Sequence, residues 1–218
     1  MKNNQNLVDL CGIVTDKPVV DHVVYGQSMY QFHLKVTRLS GAEDIVVVQC
    51  AENKLPVSVE EIEGQRVHLE GRLRSYNKHV DKKSRLLLYV LVNEMVLCEG
   101  QAKDDNNLEI SGFLCKKPQL RKISSGKSIC DIMLALPKSS KSNKDYIPAI
   151  CWGVVAQEIA ERHEGDFISL KGRLQSRDYT KSEDNGTTTE HTTYEVSVYT
   201  CTVIPKEEYD KMQDTEEQ

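Results

Sequence analysis

The chain has 218 residues, 39% hydrophobic and 28% charged, with a formal net charge of −5. That length suits one or two domains, and the composition is a globular one with enough apolar residues for a core, which excludes a disordered or fibrous chain. No apolar run approaches the roughly 18 residues of a membrane span, and "MKNNQNLVDLCG" has neither the apolar stretch nor the cleavage site of a signal peptide, so a cytoplasmic protein without a membrane partner is expected.

Runs rich in Val, Ile, Tyr and Thr with period-two alternation predict strands over Leu7–Val14, Met29–Thr37, Ile45–Ala51, Arg66–Tyr76 and Leu86–Cys98. The segment "NKLPVSVEEIEG", before the fourth strand, carries Pro56 and little helix signal. The polar stretch Glu99–Asn107 has no periodic pattern and reads as a boundary. Beyond it the same order is predicted again, over Leu108–Leu114, Ser128–Leu136, Tyr146–Trp152, Asp166–Arg177 and Thr193–Ile204. Between the third and fourth of these strands, Val154–His163 has apolar residues at 155, 156, 159 and 160, which is helical spacing. The last segment, Lys206–Gln218, sets two lysines against six carboxylates. It therefore holds −4 of the net charge and leaves the body near neutral.

The repetition is also literal. "LCGIVTDKP" (Leu10–Pro18) matches "ISGFLCKKP" (Ile110–Pro118) at an offset of 100, and "HLEGRLRS" (His68–Ser75) matches "SLKGRLQS" (Ser169–Ser176) at 101. Gly64 with Gly165 and Cys50 with Cys151 keep the second offset. The period is too long for a solenoid unit, so each copy is expected to be a complete domain. The expected division is an N-terminal domain over 1–100, a C-terminal domain over 106–205 and an acidic, disordered tail over 206–218. Five strands with a helix between the third and fourth is the order of the OB fold. The expected class is therefore all-β, two tandem five-stranded Greek-key barrels.

OB barrels bind ligands on the second and third strands and on the loops joining strands one to two and four to five. In copy two, alternation puts Tyr146, Pro148, Ile150 and Trp152, the only tryptophan, on one face of the third strand. On the fourth strand Ile168, Leu170 and Leu174 alternate inward, and Lys171, Arg173, Gln175 and Arg177 outward, with Tyr179 continuing that side. Neighbouring loops carry Arg121, Lys122 and Lys127, then Lys138, Lys141 and Lys144. Rings interleaved with cations suit single-stranded nucleic acid, because bases stack on aromatics and Lys or Arg tracks the phosphates. The competing expectation is a buried core tryptophan with solvated surface lysines. Copy one has Ile45 and Ala51 where copy two has Tyr146 and Trp152, but Arg72, Arg74 and Tyr76 still line its fourth strand. It is read either as a weak phosphate contact or, in preference, as an interface with the sister domain or a second chain.

Catalysis and cofactors are not expected. "SSGKS" holds Gly126-Lys127-Ser128, but a phosphate loop needs a glycine where Arg121 stands. The six histidines are scattered, and the seven cysteines form no C-x-x-C pair, so no metal is expected and the cysteines read as buried, reduced thiols.

The stretch "YIPAICWGVVAQEIA…EGDFISLKGRLQSRDY" resembles the bacterial single-stranded DNA-binding protein family, in its tandem OB-fold form. Tyr146, Trp152, Gly153, Ala156, Gly165, Gly172, Arg173, Leu174 and Tyr179 stand at matching spacing, and the likeness covers most of 107–204. In copy one it survives mainly as Gly12, Pro18, Gly64, Gly71 and Arg72. The resemblance implies stacking of single-stranded DNA on Tyr146, Trp152 and Tyr179, with roles in replication, recombination and repair at the bacterial nucleoid. It also implies a homodimer presenting four OB domains. Family members usually recruit partner proteins through an acidic tip closing on Pro-Phe. This chain ends "YDKMQDTEEQ", without that tip, which leaves recruitment open. A primosomal type of OB accessory protein and an OB protein-interaction module are the alternatives.

Overall fold

The computed structural model describes residues 6–80, 83–100, 102–137, 144–182, 188–205 and 209, with backbone alone at 79–80, 83–84, 178–179, 181–182 and 189–191. In copy one, β1 (Asn6–Val14), β2 (Val19–Val24), β3 (Gln27–Thr37) and β4 (Glu43–Ala51) are followed by a 3-10 turn at Glu52–Lys54, then by β5 (Arg66–Val80) and β6 (Lys83–Leu97). Copy two runs β7 (Asp105–Leu114), β8 (Gln119–Lys122), β9 (Ser128–Pro137), β10 (Lys144–Trp152), helix α1 (Gly153–Ala160), β11 (Phe167–Ser182) and β12 (Thr188–Ile204).

Each copy closes into a barrel. In copy one β1 pairs with both β3 and β5, β3 with β4, β5 with β6, and β4 with β6 in parallel at Val48↔Val90. Copy two repeats every step, with β10 and β12 parallel at Ala149↔Val196. This is the tandem OB fold expected from the strand order. Inward alternation fills the barrels with Leu10, Phe32, Leu34, Leu69 and Leu73 in one, and Ile110, Leu134, Ile147, Ile168 and Leu170 in the other. Each such side chain contributes roughly 1.5–3 kcal/mol on burial. Among the described residues no helix is long and apolar enough to cross a membrane.

The barrels join edge to edge. β1 pairs antiparallel with β7, Val8 opposite Leu108, giving a continuous six-stranded run β6-β5-β1-β7-β11-β12. β7 therefore begins at Asp105, inside the stretch that lacks periodicity. Its polar start is stabilised by the ladder: Cys11 stands opposite Asp105 and Leu10 opposite Asn106. The short strands β2 and β8 were not expected. Every residue in both is exposed, so neither carries the half-buried alternation that marks a strand in sequence.

Hydrogen bonds around the junction repeat at the sequence offset, within each copy at the asparagines and between the copies at the aspartates and serines. Asn6 donates through Nδ2 to the Leu73 carbonyl (2.9 Å) and accepts the Leu73 N–H (2.8 Å), and Asn106 does the same with Leu174 (2.8 and 2.9 Å). The buried Asp44 accepts the Ser176 N–H (3.0 Å), and the buried Asp145 accepts the Ser75 N–H (2.8 Å). In return Ser176 Oγ takes the Ile45 N–H, and Ser75 Oγ takes the Tyr146 N–H. Each copy thus lays its β5–β6 or β11–β12 arm against the third barrel strand of the other, as an isologous dimer does within a single chain.

Candidate nucleic-acid interface

The β10 strand alternates as its sequence requires. Tyr146 is 45% exposed and Trp152 38%, on the face opposite the buried Ile147, Ala149 and Cys151. Ile150, expected on the outer face, is 5% exposed. The reason lies in the tryptophan. Trp152 Nε1 donates to Ser197 Oγ at 3.2 Å, and Ser197 is the ladder neighbour of Ile150, so the indole runs back over the β10–β12 seam. One ring face stays open to solvent while the N–H is satisfied, which holds the ring in place without a ligand.

A lateral row crosses this face: Gln119, Asp131, Ile150, Ser197 and Arg173 are successive ladder partners on β8, β9, β10, β12 and β11. Arg121 lies at one end, its Nε 2.5 Å from Asp131. Arg173 lies at the other, with its Nη1 donating to the Tyr199 hydroxyl at 3.0 Å and its guanidinium 5.4 Å from that ring. The ladder row through Ser197, the partner of the Trp152 indole, thus runs between strands that carry Arg121 and Arg173.

Several sequence-predicted cations already have carboxylate neighbours. Lys171 is 3.2 Å from Glu109, and Arg177 is 4.0 Å from Glu195. These pairs and Arg121–Asp131 have exposed cationic side chains, and such pairs are worth about 0–1 kcal/mol, so a phosphate can replace the carboxylate. Arg74 differs: its Nε is 3.3 Å from Asp145, which is 1% exposed and belongs to the junction between copies. Lys171 is also set apart from the tryptophan, lining a cleft of about 600 Å³ with Leu7, Glu109 and Tyr199 on the central sheet. Lys122 and Lys127 are exposed on the β8–β9 hairpin, Lys144 is exposed at the start of β10, and Arg72 is exposed on β5. Tyr76, 39% exposed, follows the Ser75 that anchors the Tyr146 backbone. Lys138, Lys141, the Tyr179 side chain and, Tyr209 apart, the acidic tail lie outside the described residues. Tyr209 packs 4.4 Å from Phe167 and 5.1 Å from Phe113, centroid to centroid.

Three residues of this surface were not read from sequence: Ser197, Tyr199 and Tyr89. All lie on fifth barrel strands, where period-two alternation is the same for a core face and a ligand face. Tyr199 is the extra residue where Lys171 pairs with Thr200 but Gly172 with Val198, and that bulge leaves it 47% exposed. Among the described residues no cluster of three or more His, Cys, Asp or Glu could hold a metal ion.

Comparison with known proteins follows the same geometry. Residues 105–203, which span β7 to β12, match the Single-strand binding protein family. Single-stranded DNA-binding protein B of Bacillus subtilis (strain 168) is 30% identical over 84 residues, covering 36% of this chain and 74% of that protein. The single-stranded DNA-binding protein of Clostridium tetani is 31% identical over 80 residues, 34% of this chain and 55% of that protein. The fold of both copies together is that of the wild-type single-stranded DNA binding protein from Thermus aquaticus, with a TM-score of 0.72, 21% identity, and 94% of this chain and 95% of that one covered. On the family match and the share of the Bacillus protein that it covers, this chain belongs to the single-strand binding protein family.

Proposed function

We propose that the chain is a non-catalytic, sequence-tolerant binder of single-stranded DNA that keeps strands unpaired and shielded in replication, recombination or repair at the bacterial nucleoid. The observation that carries this reading is the outer face of β10, where Tyr146 and Trp152 are both open to solvent and the indole is held by Ser197, with Arg121 and Arg173 on the strands to either side. Bases stack on such rings for roughly 1–3 kcal/mol each, and every base has a flat face, so the binding is indifferent to sequence. The Tyr179 ring, the lysines of 138–144, the β8–β9 hairpin and Arg177 complete the proposed path, with Arg72, Arg74 and Tyr76 on the copy one arm. The proposed units are 1–100, 106–205 and an acidic tail over 206–218.

Self-association as a homodimer with four OB barrels belongs to the same proposal. Its support is the outer face of the six-stranded run, where Leu7 (53% exposed) and Tyr199 (47%) line an open cleft. Sedimentation equilibrium then gives twice the chain mass, and a monomer at micromolar concentration overturns it.

The primary test is tryptophan fluorescence during titration with poly(dT) at two salt concentrations. Trp152 is the only tryptophan, so the signal reports one position. Quenching is expected, with log affinity falling by roughly 0.7 per phosphate contact per log unit of salt. Binding without quenching moves the site off β10, and no binding at all removes the proposal.

A further inference from the structure

Copy one has no ring at the positions of Tyr146 and Trp152, yet its outer face is aromatic. Tyr76 on β5 and Tyr89 on β6 stand edge to face, 5.7 Å between centroids and 67° between planes. Tyr89 is the pseudo-symmetric counterpart of Glu195, since Leu73 pairs with Val90 as Leu174 pairs with Val196. The aromatic surface has therefore moved from the third barrel strand to the fourth and fifth.

A groove lies on each side of this pair. The first, about 320 Å³, is lined by His22, Tyr25, Met29, Gln49, Tyr89 and Leu91. The second, about 350 Å³, is lined by Gln31, His33, Tyr76, Lys78, Arg85 and Tyr194, the last from copy two. Both stand at the small end of ligand clefts, roughly 300–1,000 Å³, a size suited to one planar group with a polar rim.

Two features of the first groove point to a ligand. Tyr25 is wholly exposed at the tip of the β2–β3 hairpin, its φ of 48° in the left-handed region that a bulky L residue avoids, with Gly26 at 79° completing the turn. A ring held in water in that conformation gains nothing from the fold itself, and the same ring forms one wall of the groove whose other wall is Tyr89. The rim suits a base rather than a phosphate. Gln49 and His22 line the groove and both bond to the Asp21 carboxylate, at 3.1 and 2.7 Å, so the rim offers an amide and an imidazole to a base edge, backed by a negative charge that disfavours phosphate. The second groove has the opposite rim, with Lys78 and Arg85 exposed and the Arg85 guanidinium donating to the Thr192 carbonyl of copy two.

We propose that copy one carries its own base-binding site, built on Tyr25, Tyr76 and Tyr89, and that a single strand reaches it from the Tyr146–Trp152 face across the seam between the copies, its phosphates on Lys78 and Arg85. This rests on the single-stranded DNA reading above. The two faces are adjacent because Ser75, which anchors the Tyr146 backbone, immediately precedes Tyr76.

The test uses the full chain, with long oligo(dT) followed by anisotropy and an eight-nucleotide oligo(dT) followed through Trp152. The Tyr25→Leu/Tyr89→Leu variant is expected to lose about 10-fold or more in affinity for the long strand, the loss of one or two stacked bases. Quenching of Trp152 by the short strand keeps its wild-type midpoint. Tyr25→Leu, at a position too exposed to affect folding, loses about 5-fold and stands in if the double variant fails to fold. Photo-crosslinking with 5-iodouracil-substituted oligo(dT) is expected to label Tyr25, Tyr76 or Tyr89 as well as copy two. Folded variants that bind the long strand like wild type, or labels confined to copy two, overturn the proposal. Absence of Trp152 quenching with labels on copy one sinks the β10 site and leaves this one standing.

Discussion

Trp152 illustrates how one hydrogen bond decides what a ring can do. Its indole N–H is held by Ser197, so the ring is ordered before any base arrives. Ser197→Ala removes a bond worth about 0.5–1.5 kcal/mol. The expected result is a Kd for oligo(dT) about 2- to 10-fold higher and a lower steady-state anisotropy of the tryptophan, with unchanged stoichiometry. The thiols make a second case at this scale. Burial pushes Cys50 up to about 12 from its ordinary 9.0, Cys130 and Cys201 up to about 11, and Cys151 further still. Native protein is therefore expected to react slowly with a disulfide reagent at pH 8 at Cys50 and Cys151, and quickly only on unfolding. The sign for stability follows. Above pH 9.0 the unfolded chain releases thiol protons that the folded chain retains, so this contribution is complete below that value and is lost as pH rises towards about 12. Thermal melts from pH 8 to pH 11 are expected to fall in midpoint, and a flat profile contradicts the assignment.

At the scale of elements, the barrels depend on paired irregularities. The register shifts between Glu70 and Gly71 on β5, and between Lys171 and Gly172 on β11, where each strand leaves the central sheet and becomes an arm. A side chain at Gly172 would run into the Ser197 carbonyl oxygen, a backbone atom that cannot swing away. Gly172→Ala is expected to cost about 1–3 kcal/mol, and the same strand bond network carries Ser197, so DNA binding weakens with it. Asn106 forms both bonds to Leu174 and ties β7 to the arm of β11 within copy two. Asn106→Ala leaves two buried backbone groups short of a partner, at about 1–3 kcal/mol. For a chain of this length that is expected as a drop in Tm of about 2–4 °C per kcal/mol, read by calorimetry.

The whole molecule is a single-chain pseudo-dimer. β1 and β7 share a ladder, the arms exchange, and each buried aspartate bonds to the opposite copy. The symmetry is imperfect in an informative way. Asp44 is held by Arg38 of its own copy, whereas Asp145 is held by Arg74 of the other. One calorimetric transition is expected, because neither copy keeps its junction satisfied without its neighbour. Asp145→Ala is expected to lower its midpoint, since it leaves Arg74 and the Ser75 N–H without their buried acceptor.

What the sequence determined by itself is what local rules control. Alternation of apolar residues set the strands and the inward faces of β10 and β11, helical spacing set α1, and the offsets of 100 and 101 set the duplication and with it the OB order. The family motif lay in the same local pattern, so Tyr146 and Trp152 were legible as outward rings. Only the tertiary structure decided the rest. The polar start of β7 became a strand because β1 offered it a ladder, β2 and β8 because barrel edges offered them partners. Arg74 became a junction residue because an arm of copy one reaches the third barrel strand of copy two, and Tyr89 a groove wall because β6 brings it beside the β2–β3 hairpin. Period-two alternation tells which residues share a face. It does not tell which face another segment will cover, because that depends on contacts about 70 and 130 residues away in sequence.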